Sequence, residues 1–176
     1  MSIGIKYGLH VRLVDESDAE FILGLRRDER LSRYLTKTGG DVEDQVKWIR
    51  GYKEREKRKE EYYFLYEDGQ GNRLGVNRLH NLDADSFESG SWVFRQGLEM
   101  SLPVLGDLAC RDYGFEELHF GYCRFEVMRE NERVLRYHKS FRPDLVGEDE
   151  RAFYFRIAYE TYVAHRDKLL KIFFHG

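Results

Sequence analysis

The chain has little proline, little cysteine, almost no net charge and no long apolar run. With only two prolines there is no proline-rich linker, and a length of 176 residues suits one domain built on one core. The expectation is a single domain over 1–176, with 159–176 as a C-terminal extension. The two cysteines, Cys110 and Cys123, are too few for a disulfide framework and lack metal-site spacing, so a reducing cytoplasm is the simplest compartment. No stretch approaches the roughly 20 apolar residues of a membrane span, and the opening MSIGIKYGLHVRLVDESD lacks the apolar segment of a signal peptide. Lys+Arg 29 against Asp+Glu 32 gives a formal charge of -3, so no overall field attracts nucleic acid or an anionic membrane. Internal repeats and low-complexity segments are missing as well.

Aromatic residues are what the chain has in excess. Tyr 12, Phe 12 and Trp 2 make up 15% of it, far too many for a disordered chain. They are either core mass or the lining of a site.

Alternation over His10–Val14 reads as a short strand. Asp15 can cap the following helix, with Asp18 at the capping-box position and Phe21, Ile22 and Leu25 on one face. Thr38-Gly39-Gly40 breaks the chain, and Asp41 can cap a long helix with a stripe of Val42, Val46 and Ile49. Its mixed-charge stretch, Lys53–Glu61, reads as a solvated face because both signs interleave. Glu61–Tyr66, Arg73–His80 and Phe87–Phe94 read as three antiparallel strands joined by short turns, the first closed by Asp68-Gly69-Gln70-Gly71.

Ser101 can cap the next helix, with Pro103 in its first turn. Phe120–Val127 then reads as a strand, with Tyr122, Arg124 and Glu126 on one face and Cys123, Phe125 and Val127 on the other. Asn131–Phe141 reads as a short helix, and Leu145–Glu148 with Ala152–Ile157 as a final strand pair. Tyr159–Phe173 is a helix, or a strand followed by a helix. The strand–helix–strand unit Phe87–Val127 should be parallel and right-handed, which makes a mixed, mostly antiparallel sheet covered on both faces.

Three places could carry chemistry. The junction after Phe94 leaves free N–H groups at a helix start, which suit a phosphate; Arg95, Gln96 and Gly97 precede it, though every such unit has a junction of this kind. The second place is the end of the strand at Glu126 with His138 two turns into the next helix. A carboxylate and an imidazole there could accept and donate a proton; alternatively Glu126 pairs with Arg124 or Arg129, and His138 is an ordinary helix-face histidine. The third set, His80, Asn81, Asp83, Asp85 and Glu88, matches no ligand spacing and reads as a solvated turn, so no metal is expected. Trp92 and Tyr122, on neighbouring strands, either line an acceptor pocket or fill core.

Glu126-Val127-x-x-x-Asn131-x-x-Val134-Leu135-x-x-His138-x-x-Phe141 resembles the last motif of the GCN5-related N-acetyltransferases (GNATs), where Ala and Tyr usually stand at the positions of Val134 and His138. Tyr113-Gly114-Phe115-Glu116-Glu117-Leu118 resembles the helix end that precedes the same strand. Leu13-Val14-x-x-x-Asp18-Ala19-x-Phe21 resembles the first strand and helix, and Tyr62-Tyr63-Phe64-Leu65 with Leu74-Gly75-Val76 resembles the second and third strands. The resemblance runs from about Leu9 to about Glu148. It is nearest to two branches, the ribosomal-protein N-terminal acetyltransferases and the enzymes that acetylate amino-sugar nucleotides for surface polysaccharides, with Ser89–Phe94 and Asn131–Phe141 leaning toward the second.

The resemblance implies an α/β fold with a V-shaped cofactor cleft between splayed strands, acetyl-CoA as acyl donor and a small-molecule amine as acceptor. It implies that Val93, Phe94 and Arg95 pair with the pantetheine, that Gly97, Ser101 and Leu102 border the pyrophosphate, and that Asn131 holds the cofactor arm or the local turn. It implies Glu126 as base and His138 as donor to the leaving thiolate, with Trp92 and Tyr122 beside the acceptor. The phosphate loop departs from the family's pattern: Glu99 brings negative charge, and the second glycine is missing. A protein N-terminus or a polyamine is the alternative acceptor, and a non-catalytic acyl-CoA-binding or scaffold protein the alternative class. The C-terminal segment either packs on the sheet or mediates a homodimer.

Overall fold

A computed structural model describes residues 2–34 and 40–175; Thr38 and Gly39, part of the expected chain break, lie outside them. Strand β1 (Ser2–Lys6) pairs with β2 (Leu9–Leu13) around Tyr7 and Gly8, both at positive φ, the twist a tight hairpin needs. Leu9, Val11 and Leu13 of β2 are buried while His10 is exposed. Asp15 and Asp18 form the expected capping box ahead of α1 (Ala19–Arg27) and the short α2 (Glu29–Ser32).

Asp41 and Asp44 form a second capping box at the start of α3 (Val42–Lys57). Its buried stripe is Gln45, Ile49 and Tyr52; of the expected stripe Ile49 is buried and Val46 packs half-buried beside it, whereas Val42 is 42% exposed. The i, i+4, i+7 spacing holds, but with Ile49 as the shared position it continues through Tyr52, whose hydroxyl reaches the backbone of Tyr63.

Strands β3 (Tyr62–Glu67), β4 (Arg73–His80) and β5 (Ser86–Phe94) form the expected meander. Helix α4 (Ser101–Asp112) runs on into a wide turn at Tyr113–Glu117. Ser101 is not its cap: Met100 holds that position without a side-chain bond, and the Ser101 hydroxyl donates to Glu99. After β6 (Tyr122–Met128) come α5 (Glu132–Ser140), β7 (Asp144–Glu148), β8 (Ala152–Ala158) and α6 (Tyr159–His175). The C-terminal segment is thus helix from Tyr159 onward, and Tyr162 buries it against α4 by donating to Leu108 and Asp112.

The strands form one sheet in the order β1-β2-β3-β4-β5-β6-β8-β7. All neighbours are antiparallel except β5 and β6. Helices α1 and α3 cover one face, over Ile22, Ile49, Tyr63 and Val76. Helices α4 and α6 cover the other, over Phe64, Phe87, Phe94, Phe125 and Phe155, so most of the aromatic excess is core. No helix among the described residues is long and apolar enough to cross a membrane.

Phe94 sits between two glycines. A Cβ placed on Gly75 or on Gly106 would come within 2.3 Å of its ring, so α4 can lie close against β4 and β5 only because both positions lack side chains. Gly106→Ala should therefore lower stability by about 1–3 kcal/mol, although alanine in a helix normally gains about 1 kcal/mol over glycine. Urea unfolding measures this, and a Phe94→Leu background should reduce the loss.

Candidate active site

The parallel pair β5–β6 is joined only at Ser86–Glu88 and Tyr122–Arg124. Beyond these residues the strands separate. On β5, Ser91 and Trp92 together face the single residue Asn77 of β4, since Val76 pairs with Val93 and Arg78 with Gly90. Ser91 takes φ 52. This is a β-bulge, and a bulge bends and twists its strand. The result is a cleft of about 320 Å³, bordered by β5 from Glu88 to Trp92 and by β6 from Phe125 to Met128. Along it, the facing edges of both strands lack strand partners, so their amides and carbonyls are open to an extended, amide-bearing ligand.

The cleft reaches through to both faces of the sheet. Asp107 and Arg111 of α4 and Val134 and His138 of α5 line it on one side. Arg26, Leu31, Tyr34 and Arg78 line it on the side of α1–α3. Segment α1–α2 is fastened to both lips: Gln96, after β5, donates to Asp28 at 2.9 Å, and Tyr34 donates to the Glu130 carbonyl, after β6, at 3.0 Å.

Glu126 and His138 border this same cleft from different elements. Strand alternation turns Phe125 toward α4 and α5 and Glu126 toward the opposite face, yet Glu126 and His138 line the same gap. His138 is 5% exposed. Its ring contacts Phe125, Tyr137 and Trp92, and its Nδ1 lies 3.0 Å from the guanidinium of Arg111. Burial and the Arg111 cation both hold its pKa well below the usual histidine value, so the ring is neutral at neutral pH.

Trp92 lines the cleft beside α4 and α5, its indole N–H donating to the Pro103 carbonyl at 2.9 Å. Tyr122 does not border it. It stands at the closed end of β6, half-buried, with Arg156 over its ring. Val93 and Phe94 are buried and paired with β4, just past the stretch of β5 that borders the cleft. The Arg95 amide donates to Leu74, and Gly97 turns the chain at φ 77. Ser101 and Leu102 open α4, half-buried. Asn131 caps α5 and borders the cleft, its side chain accepting from the Val134 amide.

Sequence reasoning missed the bulge at Ser91, the pair Asp107–Arg111, and His80 with Glu88. The last two were read as turn residues, and both border the cleft. Burial, then Arg78, lowers the His80 pKa, against the opposing pull of Glu88. Their turn partners use their oxygens locally: Asp83 accepts from Asp85 and Ser86, and Asp85 from Gly121.

The acetyltransferase (GNAT) domain model matches residues 9–141, three-quarters of the chain and all of the cleft but its Arg151 corner. The chain belongs to the GNAT family. A solved structure described as apo FdhC, a nucleotide-linked sugar GNAT, is 31% identical, with 97% of this chain and 98% of that one covered at a TM-score of 0.86. Spermidine N-acetyltransferase from Vibrio cholerae, solved with CoA and spermine, is 18% identical over 89% and 98% of the two chains at 0.73. Ribosomal-protein-S5-alanine acetyltransferase from Vibrio fischeri is 15% identical over 90% and 96%, also at 0.73; these last two share the fold. A comparison with curated protein sequences finds no match. As a GNAT the chain is an acyltransferase, and family membership implies acetyl-CoA as donor. The unpaired strand edges fit such a donor, whose pantetheine arm carries amides.

The buried imidazole makes stability pH-dependent. Unfolding raises the pKa of His138 to about 6.5, so below that pH the unfolded chain binds a proton that the native chain refuses. Native stability is therefore lost as pH falls. His138→Gln should flatten this loss between about pH 6.5 and pH 5, by at most about 1.4 kcal/mol per pH unit. Urea unfolding of both proteins across that range checks it.

Proposed function

We propose that this GNAT transfers the acetyl group of acetyl-CoA to an amine on a nucleotide-linked sugar. The observation that carries the reading is the 31% identity, over nearly the full length of both chains, to a nucleotide-linked sugar GNAT. The cleft adds support. On the side of α1–α3 its border includes Arg26 and Arg78, and Arg151 lies at the same opening. Arginine forks suit the diphosphate of a nucleotide sugar; Arg78 also pairs with Glu61 at 2.8 Å, and Glu88 and Glu126 share the border.

In this reading the donor lies along the free edge of β5, from the bulge at Ser91 toward Val93, Phe94 and Arg95. Its diphosphate rests at the start of α4 near Gly97, Ser101 and Leu102, and Asn131 shapes the turn beside it. Backbone N–H groups of β5 polarise the thioester carbonyl. The acceptor enters between α1–α2 and β6. Its nitrogen attacks the carbonyl carbon, the C–N bond forms, and Glu126 takes the amine proton directly or through water. The C–S bond breaks toward His138, which gives the departing sulfur a hydrogen bond. Trp92 packs beside His138 and shapes that wall of the cleft.

Incubation with acetyl-CoA and separate panels of amino-sugar nucleotides, polyamines and N-terminal peptides tests the acceptor. Free-thiol release should appear with the first panel; release only with spermidine or a peptide would overturn the reading. Glu126→Gln should lower kcat/KM by about 100-fold or more, most at low pH where the amine is protonated. An unchanged rate would move the base role to His80. His138→Phe should lower kcat while leaving the affinity for CoA, measured by calorimetry, within about threefold, which at under 1 kcal/mol is less than one lost hydrogen bond to a charged group.

A further inference from the structure

Arg111 is a cation in a place built for an apolar side chain. It is fully buried in the second half of α4. Its guanidinium carbon lies 4.5 Å from the centre of the Phe125 ring and 5.6 Å from that of Phe141. The acid that balances it is Asp107, one turn earlier, 3.2 Å from its Nε and also the acceptor of the Tyr137 hydroxyl. Burying such a pair costs several kcal/mol per ion before their attraction is counted. The pair also borders the cleft, so its cost falls at the site of reaction.

The contact with His138 has only one chemical sense. A guanidinium carries donors and no acceptor, so Nδ1 of His138 must accept, and the proton of the neutral ring must sit on Nε2. Nδ1 being occupied, Nε2 is the ring nitrogen left for a ligand. We propose that Arg111 is a positioning residue for acyl transfer: it locks His138 as the Nε2–H tautomer, so that the ring presents a donor, never a base, to the departing sulfur.

The step balances without an imidazolium. The amine's lone pair forms the C–N bond, and the C–S electron pair leaves with sulfur. The amine proton goes to Glu126 or water. The thiolate is met by the Nε2–H hydrogen bond, backed by the Arg111 charge, and takes its proton from solvent on release. The other groups around Arg111 and the ring leave this logic intact. Asp107 is paired with Arg111, and Tyr137 on α5, Cys123 on β6 and Tyr162 on α6 all have pKa values raised by burial, so they are neutral. Trp92 and Phe125 do not titrate.

The proposal rests on the acyltransferase reading but on no particular acceptor, and two measurements separate the two. Ring-nitrogen NMR of the whole protein with 15N-labelled histidine, assigned with His138→Gln, should show His138 as Nε2–H and without titration between about pH 5.5 and 8, against an ordinary midpoint near 6.5. An Nδ1–H tautomer, or a midpoint near 6.5, overturns it whatever the acceptor. Kinetics of Arg111→Lys and Arg111→Met, with an amine that supports turnover, should show kcat down about tenfold or more with KM for acetyl-CoA little changed. In Arg111→Met the His138 pKa should rise while burial still keeps it below the ordinary histidine value, so any acid limb should move upward in pH relative to the parent protein. A folded variant of either kind with unchanged kcat, or with a loss confined to KM, overturns it. Arg111→Lys keeps the buried charge and serves if Arg111→Met does not fold.

Discussion

Everything that follows in this molecule depends on two parallel strands ceasing to pair. Strands β5 and β6 hold three residue pairs and then part. Each strand keeps its antiparallel neighbour on the other side, β4 and β8, so the sheet stays whole while a wedge opens within it. The bulge at Ser91–Trp92 supplies the twist. Two glycines let Phe94 and α4 seat tightly at the far end of β5, which fixes where α4 presents Asp107 and Arg111 to the floor of the wedge. Backbone groups along a buried strand edge need partners. Here they face an opening, so water or an extended ligand can serve.

The wedge also divides the chemistry between two sides. Strand alternation sends Phe125 and Glu126 to opposite faces although they are adjacent in sequence. One side is walled by aromatic rings, with His138 against Trp92 and Tyr137 and the buried pair Asp107–Arg111 behind it. The other is polar and bordered by arginines. In the proposed reading the acceptor amine loses its proton on the polar side, and the departing sulfur meets fixed donors on the buried side, where a hydrogen bond is worth more than in water. Neither face alone holds both groups, so a continuous sheet could not bring them to one carbon.

Much of this was legible in the sequence because the signals are local. Alternation gave β2, β6 and the meander, and the box Asp15–Asp18 and the cap Asp41 marked two helix starts. The strand that escaped, β1, is exposed along almost its whole length, and a strand with no buried face carries no period-2 pattern. The stripe of α3 was read to include Val42, which is exposed, and to omit Gln45 and Tyr52, the latter held by Tyr63 across the layer. Ser101 looked like a cap, but its hydroxyl is drawn to Glu99. Tyr122 was placed beside the cleft because it neighbours Trp92's strand, whereas it lies on the paired side of the point where the strands part. That point is set by tertiary twist, and no residue type announces it. Arg111 was invisible for a similar reason: a charged residue in a helix reads as surface, and only packing shows otherwise.

The His138 position shows why these hidden parts belong together. A phenol, the usual group there, has one polar atom at its tip, and it can donate from that atom without help. An imidazole has two nitrogens and, when neutral, one proton to share between them. Left alone in an apolar wall, it would divide between two tautomers, and only one would offer a donor to the cleft. Burial already holds its pKa below the ordinary histidine value, and a neighbouring cation lowers it further. In the proposed arrangement the buried guanidinium at Nδ1 selects one tautomer, and Asp107 balances its charge in the core. In this chain the imidazole is thus tied to two further residues, Arg111 and Asp107, on a helix a whole strand away in sequence.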